Sequence, residues 1–259
     1  MKLLKENYDG LQQIYDLSSG LKGFLSEPDV RKALKESDFD AIYKKLRIEL
    51  NSEFTQLMNS LNIDPLKYLD YIPNYFLANT TIKSITIPSH IYRIGSAAFQ
   101  NCTHLTHIAI PDSVIDIGIE AFAYCKGLTS IVIPDSVISI SHGCFRNCTY
   151  LTSITLTNNI TIINNGVFEN CRALNSIIIP DGVTDIGYQA FLGCDKLTSV
   201  TIPSSVISIG SEVFSYCKKL KEITYKSTKE DWGKIVKLYS WDSLSSIKTV
   251  HCSDGDIIL

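Results

Sequence analysis

Phenylalanine recurs at an interval of 23 residues, at Phe99, Phe122, Phe145, Phe168, Phe191 and Phe214. Cysteine keeps the same interval at Cys102, Cys125, Cys148, Cys171, Cys194 and Cys217, and leucine at Leu105, Leu128, Leu151, Leu174, Leu197 and Leu220. A fourth column is Ile108, Ile131, Ile154, Ile177, Val200 and Ile223. Two residues later come Ile110, Ile133, Leu156, Ile179 and Ile202, followed directly by Pro111, Pro134, Thr157, Pro180 and Pro203. A further column, Ile94, Ile117, Ile140, Ile163, Ile186 and Ile209, precedes glycine at Gly95, Gly118, Gly187 and Gly210. Columns kept in register over six units specify a repeat solenoid. One 23-residue strand-turn-return unit cannot bury its own Leu, Ile, Val and Phe, but stacking buries each column against its copies.

Within a unit the Thr-Ser-Ile-Thr-Ile-Pro stretch alternates, sending isoleucine inward and Ser/Thr outward, as a half-buried strand does. Proline ends that strand because it cannot donate the next ladder bond. The Val-x-x-Ile-Gly stretch reads as a second, less regular segment on the opposite side. The Ser-x-Ala-Phe run is expected to make a single helical or 3₁₀ turn whose Phe fills the centre of the coil.

The consensus L-T-S-I-T-I-P-D-S-V-I-S-I-G-S-x-A-F-x-x-C resembles the BspA-like leucine-rich repeat class over residues 82 to 225. Departures are mild: Thr157 replaces proline, Ser141 and Asn164 replace glycine, and Cys144, Val167 and Val213 replace the alanine before Phe. The resemblance implies a right-handed leucine-rich-repeat stack of short β-strands with irregular or 3₁₀ returns. It also implies recognition of protein ligands, often in adhesion at a microbial surface, and a surface or secreted location. The first thirty residues hold no secretory signal pattern, so export is not expected from the chain as written.

The phase also sets the ends of the stack. Phe76 lies 23 residues before Phe99, which places Asn79 in the cysteine column and Ile82 in the leucine column, a degenerate half-unit over 71–82. Before it the apolar period turns helical, with Leu4, Tyr8, Leu11 and Tyr15 on one face and a longer stripe from Phe39 through Leu61. The expected organisation is therefore an all-α region over 1–70, acting as a cap or a small separate domain, a solenoid over 71–225 and a C-terminal capping unit over 226–259. In that last unit Thr228 with Asp231 fits a helix-capping pair, Trp232, Ile235 and Val236 give the helix an apolar side, and Ile247 to Cys252 suggests a final strand.

Composition narrows the function. With 24 Lys+Arg against 27 Asp+Glu the net charge is −3, which provides no basic surface for nucleic acid, and no apolar run is long enough to cross a membrane. Six of the eight cysteines belong to one column and read as packing residues, expected to be reduced and poorly reactive. Cys144 takes an alanine position. His251 and Cys252 are strand neighbours that point to opposite faces, unsuited to a nucleophile-base pair. His104 and His107 lack a third ligand in phase. No nucleotide-binding or hydrolase motif occurs, so neither catalysis nor a cofactor or metal is expected.

What remains is surface. The outward strand positions form a nearly uncharged Ser/Thr sheet in which His107, Ala109, Val132, Thr155, Ile178 and Thr201 are candidates for a partner-binding face. The second segment presents Tyr92, Ile115, Ile138 and Ile207 as a candidate second face. The expectation is a non-catalytic protein-interaction module, engaged in adhesion or partner recognition with a protein ligand or a glycan. The alternative is an assembly component whose N-terminal helices oligomerise.

Overall fold

The computed structural model describes residue 66 and residues 70–259. The expectations for 1–65 and 67–69, including the all-α region, lie outside the described residues. The rest is a β-solenoid of about eight turns with very little helix. Three-residue parallel strands β2 (Ser84–Thr86), β4 (His107–Ala109), β6 (Ser130–Val132), β8 (Ser153–Thr155) and β10 (Ser176–Ile178) form one side, continued by β12 (Ser199–Ile202), β14 (Glu222–Tyr225) and β16 (Thr249–Cys252). Two-residue strands form a second side: β1 (Tyr71–Ile72), β3 (Arg93–Ile94), β5 (Asp116–Ile117), β7 (Ser139–Ile140), β9 (Ile162–Ile163), β11 (Asp185–Ile186), β13 (Ser208–Ile209) and β15 (Val236–Lys237). Ser199 pairs with Glu222 and Ser84 with His107, so the 23-residue period of the sequence is the register of the ladders.

The third side differs from the expected helical turn. Ala97, Phe99 and Asn101 donate to Ile119, Ala121 and Ala123 of the next coil, while Ala98, Gln100 and Cys102 donate back to Gly95, Ala97 and Phe99 of their own. Successive N–H groups therefore alternate between the next coil and their own, which a helix cannot do. The geometry requires left-handed backbone twice per coil, at Ala97 (φ 54°) and Asn101 (φ 58°) and at their counterparts, among them Gly143 (φ 62°), Asn147, Gly166, Asn170 and Gly193. Glycine and asparagine recur there because they tolerate that region best.

The first coil is one residue short. Leu77 N donates to Ala98 O as Phe99 N donates to Ala121 O, so Leu77, not Phe76, heads the phenylalanine column. Asn79 then matches Asn101 at a left-handed position (φ 61°), and Thr80, not Asn79, matches Cys102. The missing residue falls between Thr80 and Ile82, which restores Ile82 to the leucine column half-buried against the core.

Inside the coil the six phenylalanines stack with ring centroids 5.3–5.8 Å apart and planes within 16° of parallel. All six are fully buried. The cysteines beside them form a hydrogen-bond ladder: each thiol donates to the carbonyl of the phenylalanine-column residue one coil earlier, from Cys102 to Leu77 (3.0 Å) through Cys217 to Phe191 (3.2 Å). From Phe99 to Phe191 that carbonyl also accepts the N–H of its own coil's cysteine, so both lone pairs are used. All eight cysteines are unbridged. Burial pushes the column thiols up, Cys148 and Cys217 to about 12. Cys144 is buried among the alanine-column residues, as its position implies.

Glycine after the second-side strand has a steric cause. A Cβ on Gly118 would stand 2.6 Å from Ser96 N, and one on Gly210 2.7 Å from Tyr188 N. Where two successive coils carry Ser141 and Asn164 instead, the second-side ladder breaks, between β7 and β9. Gly187 N donates to Ile163 O at 2.7 Å, whereas at Asn164 the side-chain amide takes over, donating to Ile140 O at 2.8 Å. Thr157 compensates for its proline in a similar way, its Oγ1 accepting from Asn159 N at 3.1 Å.

Candidate interaction surfaces

The strand side presents two outward columns. Ser84, His107, Ser130, Ser153, Ser176 and Ser199 form one, and Thr86, Ala109, Val132, Thr155, Ile178 and Thr201 the other. All are exposed except Thr201, which is half-buried. Val132 and Ile178 stand out, 64% and 68% exposed on a sheet whose other outward residues in these columns are Ser, Thr, His107 and Ala109. The ladder on this side is interrupted between β4 and β6 and again between β8 and β10. Over the first interruption lies a groove of about 560 Å³, lined by His107, Ala109, Asp112, Val132, Asp135 and Thr155 among others. Ile108, Ile110, Ile131 and Ile133, whose side chains are buried on the inward side, lie beneath it, and Asp112 and Asp135 make its rim acidic.

The second side carries the other predicted set. Tyr92, Ile115, Ile138 and Ile207 are all solvent-facing, Ile138 and Ile207 at 61% and 62%, and Val236 extends the line. Tyr92, Ile115 and Ile138 are joined coil to coil, and so are Ile207 and Val236, each by one bond that extends the second-side ladder: Ile115 N donates to Tyr92 O, Ile138 N to Ile115 O and Val236 N to Ile207 O. Thr161 and Thr184 interrupt the stripe in the middle.

Sequence reasoning passed over the third side, which exposes Ile119, Tyr124, Tyr188 and Tyr216. Gly143 and Gly166 leave a notch there in which Arg146 pairs with Glu169 and reaches Glu120 at 3.8 Å. Gln100 donates to Glu120 and Gln189 to Glu212, each at 2.7 Å. These groups satisfy one another from coil to coil and so brace the ribbon. The readable signal was the paired glycines at 143 and 166.

None of the three sides gathers a nucleophile, a base and an acid. His251 lies between Asp256 (2.8 Å) and Glu222 (3.4 Å), which links β14, β16 and the final strand but leaves it without a thiol partner. Among the described residues no group of three or more His, Cys, Asp or Glu is placed to hold a metal, and no helix is long and apolar enough to cross a membrane.

Parallel coils with a leucine, an isoleucine and a phenylalanine column apiece define a leucine-rich repeat solenoid. More narrowly, the pattern described as BspA type leucine rich repeat region matches residues 70–197 and 139–251, in six copies, and the chain belongs to that family. Its members are generally protein-interaction modules, typically non-catalytic. The fold is similar to a leucine-rich repeat protein of T. pallidum, at 30% identity over 56% of this chain and 70% of that one, with a TM-score of 0.54. It is also similar to one from Bacteroides ovatus, at 24% identity over 71% of this chain and 52% of that one, with a TM-score of 0.59. No curated protein matches the chain.

Proposed function

We propose that the chain is a non-catalytic recognition module that binds a partner protein, in adhesion or a similar surface contact, through the outer face of the strand side. The observation that carries this reading is the pair Val132 and Ile178, held rigidly outward on β6 and β10, with a groove beside the first. Large aliphatic side chains left in contact with water in the free protein contribute favourable free energy when a partner covers them. Short parallel strands locked by ladders on a packed core lose little entropy on binding, which favours affinity from few contacts. The organisation into a region over 1–70, a solenoid over 71–225 and a closing unit over 226–259 belongs to the same proposal, as does right-handed winding, the usual hand of parallel crossovers.

The test is a binding panel of purified extracellular-matrix and cell-surface proteins with a parallel glycan array, using the full chain, V132D/I178D and I138D/I207D. Loss of protein binding in V132D/I178D alone is expected. Loss in I138D/I207D alone would move the interface to the second side, and glycan binding without protein binding would replace the ligand class.

A further inference from the structure

The groove on the strand side also specifies what kind of segment fills it. One column of the repeat follows the strand-ending proline: Ser89, Asp112, Asp135, Asn158, Asp181 and Ser204. Its three aspartates are not equivalent. Asp181 is neutralised by Lys226, which reaches it from 45 residues away at 2.7 Å. Elsewhere on the coil Asp116 has Arg93 at 3.1 Å, Glu169 has Arg146, and Asp195 has Lys218 at 3.3 Å. Asp112 and Asp135 have no cation within ion-pair distance among the described residues, and both are exposed on the rim of the groove. They occupy successive coils, about 5 Å apart along the stack, where like charges repel.

Resting on the strand-side reading above, we infer that the partner presents a short extended protein segment in which an arginine or lysine sits beside an aliphatic residue. The cation lodges between Asp112 and Asp135, and the aliphatic side chain lies over Ala109 against Val132. Ala109 is the one small residue in a column otherwise of Thr, Val and Ile, so it forms the dent that receives a side chain. The groove crosses three coils, about 10 Å, the reach of some three extended residues. A guanidinium matches two carboxylates one coil apart because its planar fork offers donors in both directions. The acidic rim disfavours phosphate backbones and acidic glycans by the same charge argument.

A random 12-residue phage-displayed library selected on the immobilised full chain, on D112N/D135N and on V132E tests this. Both aspartates are exposed, so D112N/D135N is expected to melt like the wild type. The wild type should enrich peptides with a basic residue next to an aliphatic one. Their binding should fall roughly fivefold or more in D112N/D135N, as for loss of one or two exposed ion pairs, and should weaken with added salt only when both aspartates are present. V132E should remove it. Enriched peptides that are neutral or acidic yet need Val132 would overturn the basic-segment inference and leave the strand-side reading standing. Peptides indifferent to V132E would overturn the strand-side reading itself, and no enrichment at all would overturn the inference.

Discussion

Between Ile94 and Ile223 each coil repeats its neighbour, whereas the coil that follows meets the same demands with different parts. In the middle of the stack Ser199 pairs with Glu222 after 23 residues, but Glu222 pairs with Thr249 after 27. The extra length is taken up by a helix, α1 (Lys229–Lys234), which stands where other coils make a proline turn. The parallel phenylalanine stack ends on Trp241, set edge-on to Phe214 at 6.1 Å and 80°, with Trp232 and Tyr225 packed edgewise beyond it. The strand-side sheet ends on an antiparallel hairpin, β16 to β17 (Gly255–Ile258). A stack propagates when each layer offers the next the same surface, and it stops when rings turn and a strand reverses.

Four perturbations would break or sharpen that contrast. The largest effect belongs to the repeated interior: Phe145→Ala should cost about 3–5 kcal/mol in chemical denaturation, because the cavity lies between two stacked rings that cannot close over it. Trp241→Ala, at a half-buried terminus, should cost less, about 2 kcal/mol, with hydrogen exchange rising first in the last coil. A result as large as that for Phe145 would mean that the closing coil is packed as tightly as the repeated interior. Smaller again are the two side-chain substitutes for backbone order. Thr228 caps α1 by accepting from Asp231 N, and Asn164 replaces a ladder bond in mid-stack, so Thr228→Ala and Asn164→Ala should each cost about 1 kcal/mol by thermal melts.

The smallest effects are in pH dependence and have opposite signs at the two termini of the closing coil. Hydrogen bonding to Asp256, aided by Glu222, holds His251 above its ordinary value of 6.5. A raised pKa contributes stability that is complete below about 6.5 and lost as pH rises through the folded value, so the protection factors of β17 amides should fall above neutrality. His251→Gln should remove that trend. Asp231 is held at about 2, against an ordinary 3.8, by Ser227, Lys234 and Thr228. Its contribution is present above 3.8 and lost as pH falls toward 2, so α1 should fray from the acid side. Thiol labelling of the native chain supplies a last check: Cys252, half-buried, should react alone, and rapid reaction of more than one thiol would contradict the buried ladder.

The interior was legible because every core column repeats one residue type at one interval, and periodicity survives small errors of reading. It misled at the first coil, where Phe76 and Leu77 stand side by side and only the pairing of Leu77 with Ala98 decides between them. The ribbon side escaped because its conformation is set by backbone sign, and six residue types occupy its left-handed positions between Ala97 and Tyr216. At the closing coil the helix and its cap were readable from Thr228 and Asp231. Val236, expected on the helix, instead lies exposed in β15, and the hairpin strand β17 was missed because Gly255–Ile258 is too short to show alternation. The outward positions of the strand side were fully readable, yet the distinction among Asp112, Asp135 and Asp181 was not. It depends on Lys226 folding back across 45 residues.

The shared carbonyls of the phenylalanine column carry a consequence for how such a chain changes length. From Phe99 to Phe191 each carbonyl is completed by one donor from its own coil and one from the next, so every internal coil has the same requirement above and the same offer below. Duplicating or excising one 23-residue unit joins surfaces that already match, whereas a unit of another length keeps step only if a turn absorbs the difference, as in the first and closing coils. The molecule can therefore grow or shrink as a ruler graduated in whole coils, lengthening both outer faces by the same step while its closing coil stays unchanged.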